Sequence, residues 1–278
     1  MKIPVSFAIQ RQWLRLASVI SPAAVSQWAA SRFMATRRFP RSEAEMKVLA
    51  QGRKIVLSNG TTAWSWGKGK RVILVHGWNG RGSQLFAFVT PLVDAGYEVI
   101  AWDGPAHGDS SGTRTNLGTF ARTLVETELE VGTIEAVIAH SFGAAATVLA
   151  SKMGFTATRL ILIACPCSLQ DVFDRFAALL LLPTKVSGKS QKIIEKEAGL
   201  RIEEAQVDRV GSSLSVKALL IHDLLDKEIP YGDAQRILSR WQGARLITTE
   251  GFGHRRILQT PDVVRHALSF LRESQAIP

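Results

Sequence analysis

From Lys54 onward, short apolar runs alternate with segments of helical period. Lys54 to Leu57 and Thr61 to Trp66 flank Ser58-Asn59-Gly60, and an Asn-Gly pair between two such runs marks a β-hairpin. Strands are expected at Arg71 to Val75, Glu98 to Trp102, Glu135 to Ala139 and Arg159 to Ala164. Helices are expected between them at Ser83 to Ala95, Asn116 to Val131 and Phe142 to Met153. The rhythm resumes with strands at Val216 to Ile221 and Arg245 to Thr249, and helices at Gly232 to Trp241 and Asp262 to Leu271. Apolar runs without polar alternation suit strands buried on both faces, as in a parallel sheet. Strand and helix in strict turn, joined by right-handed crossovers, predict an α/β fold with a mostly parallel, doubly wound sheet.

Two stretches depart from that rhythm. Residues 1–50 form an N-terminal arm that reads as two short helices. Trp13, Leu16, Ala17 and Ile20 share one helical face, and Arg11, Arg15 and Ser18 share the other. Ser21-Pro22 then supplies an N-cap and a first-turn proline, after which Val25, Trp28, Ala29 and Phe33 continue an apolar stripe. Residues 168–213 interrupt the α/β core, which spans 51–167 and 214–278. They hold Phe173, Phe176, Leu179 to Leu182 and a charged helical segment from Lys189 to Arg209. This pattern predicts a small helical cap, inserted over the carboxyl ends of the strands where open α/β sheets keep their sites.

Composition narrows the possibilities. With 278 residues, 46% hydrophobic and 21% charged, the chain has side chains enough for a sizeable core and is not low-complexity disorder. Two cysteines, Cys165 and Cys167, cannot build a disulfide framework or a four-ligand zinc site and read as packing residues. The net charge of +10 is unevenly placed: residues 1–42 carry seven basic side chains and no acidic one, leaving 27 basic against 24 acidic elsewhere. A body so close to neutral argues against nucleic acid as a partner. Two readings of the arm stay open, docking on the main domain or a weak association of residues 1–42 with an anionic membrane surface. Pro4, Gln10 and Arg11 interrupt the apolar core that a secretory signal needs, no run approaches the ~20 apolar residues of a membrane span, and a cytoplasmic location is expected.

The densest chemical signal is Val137-Ile138-Ala139-His140-Ser141-Phe142-Gly143-Ala144-Ala145, a strand that runs straight into a helix with a serine at the junction. A sharp strand-to-helix turn crowds its neighbours, so the positions two before and two after the serine must be small, as Ala139 and Gly143 are. The alternative is a plain N-cap serine. A serine hydroxyl is a poor nucleophile at neutral pH unless a base, itself oriented by a carboxylate, lies within hydrogen-bond reach. Downstream, Asp223 and Asp226 follow one expected strand end and His254 follows another.

With these motifs in order, the chain from Lys54 to Leu271 resembles the serine hydrolases of the α/β-hydrolase superfamily. His76-Gly77-Trp78, the run Asp103 to Ser110, the Ser141 turn and the Asp226 and His254 turns carry the resemblance. Alanine at 139 replaces the usual glycine. The resemblance implies Ser141 as nucleophile, His254 as base and Asp226 as orienting acid, with Asp223 as the competing acid. It also implies an oxyanion hole from the backbone N–H groups of Trp78 and Phe142, with His76, Gly77 and His140 around the pocket. His76 and His107 are expected to hold turns, and His222 and His266 to be structural. No histidine pair has metal spacing, and Gly67-Lys68-Gly69-Lys70 lacks the rest of a P-loop, so neither metal nor cofactor is expected. The expected activity is cleavage of a small, apolar carboxylic ester through an acyl-enzyme. A thioesterase, an acyltransferase, a C–C bond hydrolase and a non-catalytic acyl-ligand-binding relative are the alternatives.

Overall fold

The computed structural model describes residues 5–273, with side chains from Ala8. Two helices come first, α1 (Val5–Ile20) and α2 (Pro22–Met34), followed by α3 (Glu43–Leu49). Then come β1 (Arg53–Val56), β2 (Thr62–Trp66), β3 (Lys70–Val75), α4 (Val89–Asp94) and β4 (Tyr97–Asp103). The middle of the chain holds α5 (Leu117–Val131), β5 (Ile134–His140), α6 (Phe142–Lys152) and β6 (Arg159–Ile163). After these lie α7 (Leu169–Leu179), α8 (Thr184–Ala198), α9 (Val207–Ser212) and β7 (Lys217–Asp223). The chain closes with α10 (Tyr231–Arg240), β8 (Ala244–Thr249), α11 (Gly253–Arg256) and α12 (Pro261–Arg272).

These elements sort into two compact units. The larger, Thr36–Cys167 with the chain from Val207 onward, is an eight-stranded sheet in the order β1-β2-β4-β3-β5-β6-β7-β8. β2 is antiparallel to β1 and β4, and every pair from β4 through to β8 is parallel. The central strands are buried along nearly their whole length because both faces are covered, which is why β3 reads Val-Ile-Leu-Val and β6 Leu-Ile-Leu-Ile. One face of the core gathers Val72, Leu74, Val99, Ile138, Ile161 and Ile221 with Phe88, Leu92 and Phe270. This is the α/β, mostly parallel doubly wound architecture that the alternating pattern predicts.

Local departures have identifiable causes. The helix expected from Ser83 to Ala95 is split into a 3-10 turn at Gly82–Phe88 and α4. Pro91 has no N–H and clashes with a preceding helical carbonyl, so it is accommodated by a helix that restarts at Val89 and holds it in the first turn. The charged segment expected from Lys189 to Arg209 is likewise not one helix. α8 begins at Thr184 and stops where Gly199 adopts a left-handed conformation (φ 60°), with a 3-10 turn at Ile202–Ala205 before α9.

The smaller unit joins α1 and α2 to Ser168–Gln206. Ala30 and Met34 of α2 pack with Phe173 of α7, Ile194 of α8 and Ile202. Phe33 stands edge-on to both Phe173 (5.4 Å) and Phe176 (5.1 Å). Ser26 Oγ donates to the carbonyl of Val186 across α2 and α8 (3.2 Å). α2 thus finds its apolar partners in residues 168–206. Arg38 and Arg41, counted with the basic arm, belong to the larger unit. Arg38 donates to the carbonyls of Gly108, Ser110 and Gly112, and Arg41 pairs with Asp109 at 2.7 Å. Part of the arm's positive charge is therefore spent on holding a loop.

Candidate active site

Ser141 occupies the one-residue junction between β5 and α6. Its backbone sits at φ 52°, ψ −122°, a conformation that costs a non-glycine residue about 1–3 kcal/mol. Two tethers hold it there: its N–H donates to Ile163 O in β6 (2.9 Å), and its carbonyl accepts the N–H of Ala144 (2.9 Å) to begin α6. The side chain makes no helix-capping hydrogen bond, which sets aside the N-cap alternative. Small neighbours permit the turn. A Cβ on Gly143 would lie 2.2 Å from the carbonyl oxygen of His76, and one on Gly77 would lie 3.0 Å from His140 Nδ1 and 3.1 Å from Ser141 Cβ. The loop after β3 and the turn after β5 are therefore backed against one another at two glycines.

The hydroxyl of Ser141 lies 3.0 Å from His254 Nε2, and His254 Nδ1 lies 2.7 Å from Asp226 Oδ2. A carboxylate can only accept, so Nδ1 carries the imidazole proton and Nε2 turns its lone pair to the serine. Asp226 has a wholly buried side chain, and its Oδ1 accepts the backbone N–H groups of Glu228 (2.8 Å) and Ile229 (2.9 Å). Burial alone would raise its pKa. The hydrogen bond and charge of His254, with those two N–H groups, outweigh burial and hold it below the usual carboxylate range.

Of the two carboxylates left open by the sequence, Asp226 reaches the imidazole. Asp223 turns instead to its own loop, accepting from Leu225 N–H, Thr249 Oγ1 and Phe252 N–H. It thereby ties the end of β7 to the end of β8, the strand that precedes His254.

The neighbouring histidines are neutral braces. His140 Nε2 donates to the carbonyl of His254 (2.8 Å), and burial together with the adjacent His254 lowers its pKa to about 3. His76 accepts the N–H of Gly104 at Nε2 (2.9 Å) and donates from Nδ1 to Gly77 O (2.7 Å), and burial keeps its pKa well below the ordinary value. His107 does the same between Asn79 N–H (3.0 Å) and Pro105 O (3.0 Å). His76 was expected at the pocket; it lies wholly buried behind the loop that it shapes. His222, expected to be structural, donates to Ile229 O (3.0 Å) and lies 3.6 Å from Asp226 Oδ2. Sequence reasoning missed that proximity, although the i,i+4 spacing across a strand end was its one available signal.

Trp78 and Phe142 stand side by side, with ring centroids 4.9 Å apart. Among the described residues neither backbone N–H has a hydrogen-bond partner. The loops around them are pinned by Asp103, which accepts the N–H groups of Gly82 (2.7 Å) and Asp109 (2.8 Å). Burial lifts the Asp103 pKa to about 6 against those hydrogen bonds. Among the described residues no three His, Cys, Asp or Glu side chains cluster as a metal ion would require. Both cysteines are buried, and burial raises their thiol pKa values, Cys167 to about 12. The arrangement sets a serine hydroxyl against an imidazole nitrogen that a buried carboxylate orients.

A mostly parallel sheet with a serine, a histidine and an aspartate hydrogen-bonded in series at its carboxyl edge is the pattern of the α/β-hydrolase class. The chain belongs to the alpha/beta hydrolase family, whose model matches residues 72–267. Over 82 residues it is 35% identical to a non-heme chloroperoxidase of Kitasatospora aureofaciens, a match that spans 28% of this chain and only 30% of that protein. An esterase from Exiguobacterium antarcticum has a similar fold, with a TM-score of 0.62 at 17% identity over 80% of this chain and all of that one. So does a meta-cleavage product hydrolase from Pseudomonas fluorescens IP01, with a TM-score of 0.59 at 17% identity over 80% of this chain and 98% of that one. A bromoperoxidase from Bacillus anthracis reaches 0.60 at 15% identity over 79% and 99%. At these identities the likeness is one of fold.

Proposed function

We propose that the protein is a serine hydrolase that cleaves carboxylic esters through an acyl-enzyme on Ser141. The observation that carries the reading is the single imidazole of His254 placed 3.0 Å from Ser141 Oγ and 2.7 Å from Asp226 Oδ2. His254 Nε2 takes the hydroxyl proton as Ser141 Oγ attacks the ester carbonyl. Asp226 holds the Nδ1–H tautomer and stabilises the imidazolium that forms. The N–H groups of Trp78 and Phe142 receive the oxyanion, each contributing about 3 kcal/mol to the barrier reduction. The imidazolium then protonates the departing alcohol, and water, deprotonated by the same nitrogen, releases the acid.

The test is reaction with a fluorophosphonate, read by intact mass and peptide mapping. One adduct on Ser141, absent in Ser141→Ala and slowed by about 10⁴ in His254→Ala, is the expected result. Folded protein that stays unlabelled overturns the proposal and leaves the acyl-ligand-binding alternative. A series of p-nitrophenyl esters set beside matching thioesters then ranks the leaving groups; preference for thiol departure by more than about tenfold replaces ester by thioester as the substrate class.

A further inference from the structure

The smaller unit carries two surface stripes that its own packing leaves unused. On α1, Ile9, Trp13, Leu16 and Ile20 follow one another at i, i+4, i+7 and i+11, and are 53%, 67%, 60% and 86% exposed. Val19, at 83%, borders the row. The inner face of this helix is the one with buried Ser18 and half-buried Leu14, so the apolar row points away from α2. On α8, Lys185, Lys189, Lys192 and Lys196 repeat the same spacing, all four are exposed, and among the described residues none pairs with a carboxylate. α1 itself contains Arg11 and Arg15 and no acidic residue.

An apolar row of this kind gains by leaving water, and a helix that carries arginine and no carboxylate favours an anionic surface. A second copy packed through this row would bring the arginines of one α1 toward those of the other with no carboxylate on either helix, and a nucleic acid has no use for four large aliphatic and indole side chains. No helix among the described residues is long and apolar enough to cross a membrane. At 1.5 Å per residue α1 is only about 24 Å long, which suits a helix lying in the plane of the interface with its tryptophan at headgroup depth.

We propose that this unit docks on the surface of an anionic lipid bilayer, with the Ile9–Trp13–Leu16–Ile20 row in the interface and the α8 lysines against the headgroups. The inference stands on α1 and α8 and owes nothing to the reading of Ser141.

Flotation of the full chain tests it, using vesicles of phosphatidylcholine alone and vesicles with about one quarter phosphatidylserine. The expected result is recovery with the anionic vesicles only, falling several-fold between about 0.1 M and about 0.5 M salt as headgroup attraction is screened. Trp13→Asp with Leu16→Asp should reduce the bound fraction about tenfold or more, and replacing all four lysines by glutamine should reduce it several-fold. All six positions are exposed, so the thermal midpoints should match the parent, and Ser141→Ala should float as the parent does. Failure of the parent to float, equal binding to neutral vesicles, or undiminished binding by either variant overturns the proposal. So does a dimer in sedimentation that the aspartate pair dissolves, since the row would then be covered by a second copy.

Discussion

At the scale of single residues, five histidines and three aspartates lie at the carboxyl edge of the sheet, and hydrogen-bond direction separates their roles. His254 is bonded to a carboxylate on one side and a hydroxyl on the other, whereas His76 and His107 have both nitrogens committed to backbone groups. Asp226→Asn should leave the chain folded but slow fluorophosphonate capture of Ser141 by about 10⁴, because an amide stabilises the wrong imidazole tautomer. Asp223→Asn should act in the opposite sense. It replaces one of two acceptor oxygens, either Oδ1 that serves Leu225 or Oδ2 that serves Thr249 and Phe252, by a donor, costing about 1–3 kcal/mol in urea unfolding while capture changes less than about tenfold. The turn at Ser141 was legible in the sequence because a strained strand-to-helix junction demands small flanking residues, whereas His254 was marked only by its place just past an expected strand end. The choice between two aspartates three residues apart was open to resemblance alone, since the turn of a loop decides which carboxylate faces inward.

At the scale of elements, the loop after β3 is held by a buried ion pair that no sequence pattern announced. Arg81 Nε and Nη2 donate to the two carboxylate oxygens of Glu45 in α3 at 2.7 and 2.8 Å, and Ser83 Oγ and Ser42 N–H add further bonds. Burial would raise the Glu45 pKa, but the bonds from Arg81, Ser42 and Ser83 prevail and lower it to about 2. A depressed carboxyl pKa contributes stability above its unfolded value near 4.5, and that contribution is lost as pH falls through about 2. Glu45→Gln should therefore cost about 3–5 kcal/mol at neutral pH, chiefly by stranding Arg81, and should flatten the acid limb of a urea stability profile between pH 4.5 and about 2. An unchanged acid limb would show that Arg81 finds other acceptors. Helix and strand positions were legible because period and burial agree. The break before α4 and the stop at Gly199 were less so, since each turns on one residue's backbone rather than on a repeating pattern.

At the scale of the molecule, the chain builds its smaller unit from two segments separated by β1 through β6. The stripe of α2 was visible in the sequence, but its partners were not, because periodicity marks a face without saying what meets it. Removing residues 1–35 should expose Phe173, Ile194 and Ile202, and amide exchange should accelerate in α7 and α8 while β3 to β7 keep their protection. Equal exchange in both units would mean that they open together. The same arrangement sets an order of events during synthesis. α2 leaves the ribosome long before Phe173, Phe176 and Ile194 exist, so its Met34 and Phe33 must wait, solvated or shielded by a chaperone, through the making of six strands. Closing so long a span of chain is entropically slow, and this makes α2, translated before every strand of the sheet, among the last helices to be buried.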